Sequence, residues 1–148
     1  MSNEHLYEVD LEWNTNRKGT LSSSILDQKI EVATPPQFKG GMEGIWSPEH
    51  LFVASVNSCL MTTFLAIAEF SNLDFTSIRV SGAGKLDKVE GRFMVSEITL
   101  NATVEISDEK DVEKAGRILR KAKSSCLISN SIKSEVYFHP DVRVTEPV

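Results

Sequence analysis

Residues 47 to 70 read SPEHLFVASVNSCLMTTFLAIAEF, and this run limits what the chain can fold into more than any other segment. Ser47 is a suitable helix N-cap, and Pro48 suits the first helical position, where no backbone N–H is needed. The helix this predicts reaches about Ser71 and stops near Asn72, with apolar residues on nearly every face between 51 and 68. Its length would allow a membrane span. Asn57, Ser58, Thr62, Thr63 and Glu69 interrupt the apolar run, so a buried core helix is the expectation, and no membrane association. One sheet cannot cover such a helix on every side. Burial from several directions follows, with a partner subunit as one of the covers.

The rest of the chain supplies strands around this helix. In HLYEVDLEWN, Tyr7, Val9, Leu11 and Trp13 alternate with Glu8, Asp10 and Glu12, the pattern of a half-buried strand. NTNRKG is a turn, TLSSSI and KIEVA read as further strands, and TPPQFKGGMEGIW is a loop. TSIRVSGAGKLDKV and RFMVSEITLNATVEI form two long strands around a Glu90–Gly91 turn. A second helix starts at Ser107 or Asp108 and carries its apolar face on Val112, Ala115, Leu119, Ala122 and Cys126. SEVYFHPDVRV closes the chain as a strand, with Pro140 near a bend or an edge. Three strands, a long helix, two strands, a helix and a strand make an α+β fold, with the first helix packed on an antiparallel sheet. A length of 148 residues suits one domain over 1–148, and such a domain buries roughly 68–70% of its unfolded surface.

A net charge of −5 argues against nucleic-acid binding. Asp108, Glu109, Asp111 and Glu113 precede Arg117, Arg120, Lys121 and Lys123, an order that suits a helix macrodipole and a solvated helix face. The segment MSNEHLYEVD is acidic and lacks the apolar core of a signal peptide, so a soluble, cytoplasmic protein is expected.

Cys59 and Cys126 lie 67 positions apart and form neither a CxxC pair nor a zinc-finger spacing. Free cysteine is among the most often buried residue types, so both residues fit simple packing. In a reducing cytosol the alternative is redox catalysis. A reactive cysteine needs a lowered pKa, and Cys59 lies about three turns into its helix, too far for the helix N-terminus to help. Arg17, in the turn between the first two strands, is the candidate cation; a solvated turn arginine is the alternative. Glu49, next to Pro48, suits the positive end of the helix dipole with or without a further role. His5, His50 and His139 are scattered, and no ligand spacing supports a zinc site. GxSxG, a phosphate-binding glycine loop and a DxDxD cluster are all absent from the sequence.

At SPEHLFVASVNSCLMTTF the chain resembles the OsmC/Ohr family of osmotically induced and organic-hydroperoxide-resistance proteins, on its OsmC-like branch. The family pattern is Ser/Asn-Pro-Glu, then Leu, then a cysteine ten positions after the glutamate. Ser47, Pro48, Glu49, Leu51 and Cys59 stand in that register, and PPQFKGGM and SSCLISNSI also look like the family. The resemblance implies an intertwined homodimer whose two long helices cross at the centre. It also implies a thiol peroxidase without metal, haem or other cofactor, reducing organic hydroperoxides and, more weakly, hydrogen peroxide. The family's peroxidatic cysteine falls on Cys59, its resolving cysteine on Cys126, its glutamate on Glu49 and its arginine on Arg17. An arginine there could hold Cys59 as thiolate, with Glu49 orienting the guanidinium through a bidentate pair. A Cys59–Cys126 disulfide would then be reduced by a dithiol, such as lipoyl groups on partner proteins. Many relatives have Cys-Pro where this chain has Cys126-Leu127. Two other readings stand beside this one: a non-catalytic OsmC-like dimer that binds an apolar ligand or partner, and a zinc-bound redox switch.

Overall fold

The computed structural model describes residues 3–145, which divide into two compact units between Leu51 and Phe52. The N-terminal unit is built on three strands, β1 (Asp10–Thr15), β2 (Lys18–Ser23) and β3 (Leu26–Ala33), paired in that order and antiparallel throughout. Between β1 and β2 the chain turns over Asn16 and Arg17. Asn16 takes the left-handed conformation, φ 49°, which asparagine tolerates better than most residues, and Arg17 is left at the turn. The loop after β3 folds back through Met42 N–H to Thr34 C=O at 2.9 Å and Ala33 N–H to Trp46 C=O at 2.8 Å.

The strand expected to be half-buried is not. Tyr7, Val9, Leu11 and Trp13 alternate as read from the sequence, yet each is 64–87% exposed. Alternation reports that a face is apolar; it does not report whether the same chain covers it.

Helix α1 (Pro48–Phe70) crosses the division between the units as one continuous element. Its C-terminus closes where the sequence indicated. Asn72 sits at φ 53°, its N–H reaches Glu69 C=O at 3.2 Å, and Leu73 N–H reaches Ala68 C=O at 2.9 Å. These are the two bonds of a Schellman motif, with asparagine in the left-handed place.

In the C-terminal unit, β4 (Ser77–Val89) and β5 (Arg92–Ile106) form a long hairpin. Glu90 and Gly91 both have positive φ, 52° and 80°, as a two-residue type I′ turn requires. Asp108 accepts a hydrogen bond from Lys110 N–H to start a short 3-10 turn, and helix α2 (Val112–Ser125) follows. Strand β6 (Glu135–Val144) then pairs with β5 in parallel, giving the sheet order β4-β5-β6. The expected antiparallel pairing holds between β4 and β5, and β6 departs from it. A helix between β5 and β6 works as a crossover, which returns the chain in the direction it had. Pro140 lies opposite Ala102 on the edge strand β6, where the missing N–H costs least.

One face of β5 carries Ile98, Leu100, Ala102, Val104 and Ile106, all fully buried. In the same core lie Val56, Leu60, Phe64 and Ala68 of α1 and Ala115, Ile118, Leu119 and Ala122 of α2. Phe64 meets Phe75 edge to face, with centroids 5.3 Å apart. Burial from several directions is not what this chain alone provides. Helix α1 has the length and apolar composition to cross a membrane, but here it buries a single stripe at every fourth residue. Met61, Leu65 and Phe70 remain exposed.

The depth at which α1 packs is set by β4. A Cβ on Gly84 would lie 2.6 Å from Val53 Cγ2, closer than real carbons approach, so the strand must present no side chain there. Gly84→Ala is expected to destabilise the protein by about 1–3 kcal/mol through overpacking. Val53→Ala in the same chain should recover much of that loss. A double-mutant cycle from urea melts measures it, and fully additive losses would show that the two residues do not press on each other.

Candidate active site

The buried stripe of α1 decides where Cys59 stands. Leu60 is fully buried, and Cys59, its neighbour around the helix, is left half-buried at the margin of the core. Cys126 arrives from the other helix. The sequence places it on the apolar face of α2, but the helix ends one residue earlier. Cys126 is the C-cap, turned extended at φ −67°, ψ 110°, and is fully buried. Its carbonyl accepts from Asn130 N–H at 3.1 Å, and Asn130 Nδ2 donates to Ser124 C=O at 3.3 Å, which pins the turn after the helix.

Both cysteines are free thiols, and each acts on the pKa of the other. The pair is polarised. Burial pushes the Cys59 thiol up. That effect is outweighed by the Cys126 thiol, the Ile128 amide, the Thr63 hydroxyl and the Leu127 amide, so Cys59 ends below the ordinary thiol range. Burial also pushes Cys126 up, and the neighbouring Cys59 adds to it. The Ser129 hydroxyl, buried beside it without a well-aligned hydrogen bond, and the Ser129 amide offset this only in part. Cys59 thus gives up its proton more readily than Cys126.

The donors around Cys59 are what sequence reasoning missed. Thr63 stands one helical turn beyond it, with Oγ1 3.9 Å from Cys59 Sγ. That spacing of four is visible in the sequence; the amides of Leu127 and Ile128 are not, since they depend on how the chain turns after Cys126.

Arg17 and Glu49 both belong to the N-terminal unit. Both line a cavity of about 340 Å³ together with Thr34, Pro35, Phe38, Lys39 and Pro48. The bidentate pair expected between them is not formed. Arg17 is exposed and makes no ion pair among the described residues, and Glu49 Oε1 is buried without a hydrogen-bond partner. A buried carboxylate oxygen left unpaired is uncommon and costly. His50 is also explained: Ser47 Oγ lies 2.7 Å from its Nδ1 and accepts from its backbone N–H at 3.1 Å. The histidine closes the N-terminal cap of α1, where a capping box would have glutamate or glutamine.

The polarity of the thiol pair is open to measurement. A lowered pKa means more thiolate at neutral pH, so Cys59 of the reduced protein should be alkylated by iodoacetamide before Cys126. Its rate should level off at a lower pH than an ordinary thiol's. Cys126→Ala removes the S–H donor and should move the Cys59 curve to higher pH. Peptide-resolved mass spectrometry reads both sites, and preferential labelling of Cys126 would reverse the assignment.

Residues 40–140 match the family model described as OsmC-like protein. Among curated proteins, the chain is 28% identical over 141 residues to the uncharacterized protein YmaD of Bacillus subtilis (strain 168), covering 92% of this chain and 91% of that one. It is 29% identical over 123 residues to the peroxiredoxin OsmC of Escherichia coli (strain K12), covering 80% and 82%. Among solved structures, an OsmC-like protein of unknown function from Vibrio cholerae superposes with a TM-score of 0.84 at 23% identity, covering 93% of this chain and 99% of that one. An organic hydroperoxide resistance protein OsmC from Legionella pneumophila superposes with a TM-score of 0.71 at 22% identity, covering 95% and 100%. These last two likenesses establish the α+β fold, and the family model, which spans more than half of the sequence, establishes the kinship: this chain belongs to the OsmC-like protein family.

Proposed function

We propose that the protein is a cysteine-dependent hydroperoxide reductase with Cys59 as the attacking thiol and Cys126 as the resolving one. The observation that carries this reading is that the two thiols act on each other and are shifted in opposite directions, Cys59 lowered and Cys126 raised in pKa. Kinship to a protein named peroxiredoxin and a fold shared with an organic hydroperoxide resistance protein support it.

The Cys59 thiolate attacks the terminal oxygen of a hydroperoxide. The S–O bond forms as the O–O bond breaks, the leaving alkoxide takes a proton, and Cys59 becomes a sulfenic acid. The Cys126 sulfur then displaces that oxygen as water, giving a Cys59–Cys126 disulfide. An external dithiol, such as a lipoyl group on a partner protein, reduces the disulfide and is itself oxidised. The apolar character of the same helix, with Leu51 and Phe52 on it, would favour organic hydroperoxides over hydrogen peroxide. No cofactor enters this scheme, and the reducing conditions it needs suit the cytoplasm.

Arg17 and Glu49 complete the site from a second copy of the chain. Ten residues of continuous helix between Glu49 and Cys59 rise about 15 Å, far more than one guanidinium can bridge. In a two-fold dimer with crossing α1 helices each Glu49 can approach the partner's cysteine. The exposed apolar residues of β1 and α1 supply surface for such a dimer.

One equivalent of cumene hydroperoxide should remove two free thiols per chain and yield an intrachain disulfide by non-reducing mass spectrometry. Cys59→Ser should abolish turnover with dihydrolipoamide as reductant. Cys126→Ser should consume one peroxide and stall as a trappable sulfenic acid. Glu49→Ala and Cys59→Ser chains, each nearly inactive alone, should regain activity when mixed, in up to half of the mixed dimer's sites. Thiols that survive peroxide untouched would leave the protein a non-catalytic binding dimer. No recovery after verified subunit exchange would reject the two-chain site.

A further inference from the structure

Four hydroxyl side chains cluster on α1 around Cys59, and three of them behave alike. Ser55 donates to Phe52 C=O at 2.6 Å, Ser58 to Ala54 C=O at 2.6 Å, and Thr62 to Cys59 C=O at 3.1 Å. This is the ordinary use of a hydroxyl inside a helix, folded back on the turn before it. Thr63 departs from the pattern, because its Oγ1 faces Cys59 Sγ at 3.9 Å, within reach of a hydrogen bond to sulfur.

We propose that Thr63 is a dedicated hydrogen-bond donor to the Cys59 thiolate, holding the sulfur in its anionic form and in its orientation. A hydroxyl can donate to a thiolate, whereas a neutral thiol offers only a weak acceptor, so the contact strengthens when Cys59 loses its proton. Position allows it. Residues i and i+4 stack on one face of a helix, and both Cys59 and Thr63 are half-buried at the margin of the core stripe, where water competes poorly for the bond. The other groups acting on Cys59 are the Cys126 thiol and the amides of Ile128 and Leu127. None of these donors carries a charge. Among the described residues of one chain the groups acting on Cys59 include no cation, so each of these donors has weight.

The catalytic meaning of this contact rests on the reading of Cys59 as the attacking thiol, so its test avoids peroxide. Thr63→Val keeps the shape of the side chain and removes the donor; Thr63→Ser keeps the donor. Iodoacetamide alkylation of Cys59 is followed against pH in the full-length reduced protein, with circular dichroism confirming the fold. Thr63→Val should react about three- to tenfold more slowly at neutral pH and match the native rate at high pH, where the thiolate forms unaided. Thr63→Ser should follow the native curve. A Thr63→Val curve that superimposes on the native one overturns the proposal, as does a Thr63→Ser curve displaced together with that of Thr63→Val. A shifted Thr63→Val curve in a protein that ignores peroxide would leave the donor in place and remove only the peroxidase reading.

Discussion

The contact between the α1 stripe and the inner face of β5 is the constraint on which the candidate chemistry depends. Val56, Leu60, Phe64 and Ala68 lock the rotation of the helix about its axis against Ile98, Leu100, Ala102, Val104 and Ile106. Burying the three larger side chains of that stripe contributes about 1.5–3 kcal/mol each, so the rotation is strongly specified. Gly84 opposite Val53 sets the depth of the same contact. Once rotation and depth are fixed, Cys59 and Thr63 are fixed too. They fall on the margin of the stripe, dry enough for hydrogen bonds to matter and open enough for a small reactant.

Helix α2 delivers the second sulfur by ending where it does. Had the helix continued through residue 126, the amides of Leu127 and Ile128 would be committed to helical carbonyls. Because Cys126 turns extended, those amides are released toward Cys59. Leu127 adds to this, because leucine keeps a backbone N–H that proline would lack. Cys126 itself, sealed in the core, keeps its own proton to higher pH than Cys59 does.

Much of this architecture was legible in the sequence because it rests on local signals. Ser47 and Pro48 open α1, Asn72 closes it, and Glu90–Gly91 turns the long hairpin, each through backbone preferences that act within a few residues. Cys59 and Cys126 could be singled out as a pair through resemblance, and each acts on the pKa of the other. What was not legible depends on contacts distant in sequence. The parallel pairing of β6 follows from the crossover through α2, the exposure of Tyr7, Val9, Leu11 and Trp13 from what fails to cover them, and the end of α2 from a turn stabilised by Asn130. The role of Thr63 lay between these cases. Its spacing from Cys59 could be read directly, but the choice of sulfur over a helical carbonyl is a rotamer decision that sequence patterns do not record.

The division of labour between the two units bears on the proposed role of the arginine. A cation beside a thiolate and a set of neutral donors around it are alternative ways to lower a thiol's pKa. The C-terminal unit already supplies the second, from Cys126, two amides and Thr63, against the opposing effect of burial. A guanidinium brought in by a second copy would act in the same direction as these donors. Its greater effect would fall on the oxygen atoms of the peroxide, where negative charge builds as the O–O bond breaks and where a fixed donor stabilises the transition state more than the ground state. In the proposed site Glu49, with one buried and unpaired oxygen, would hold such a guanidinium in register, because a charge-assisted pair satisfies both at once.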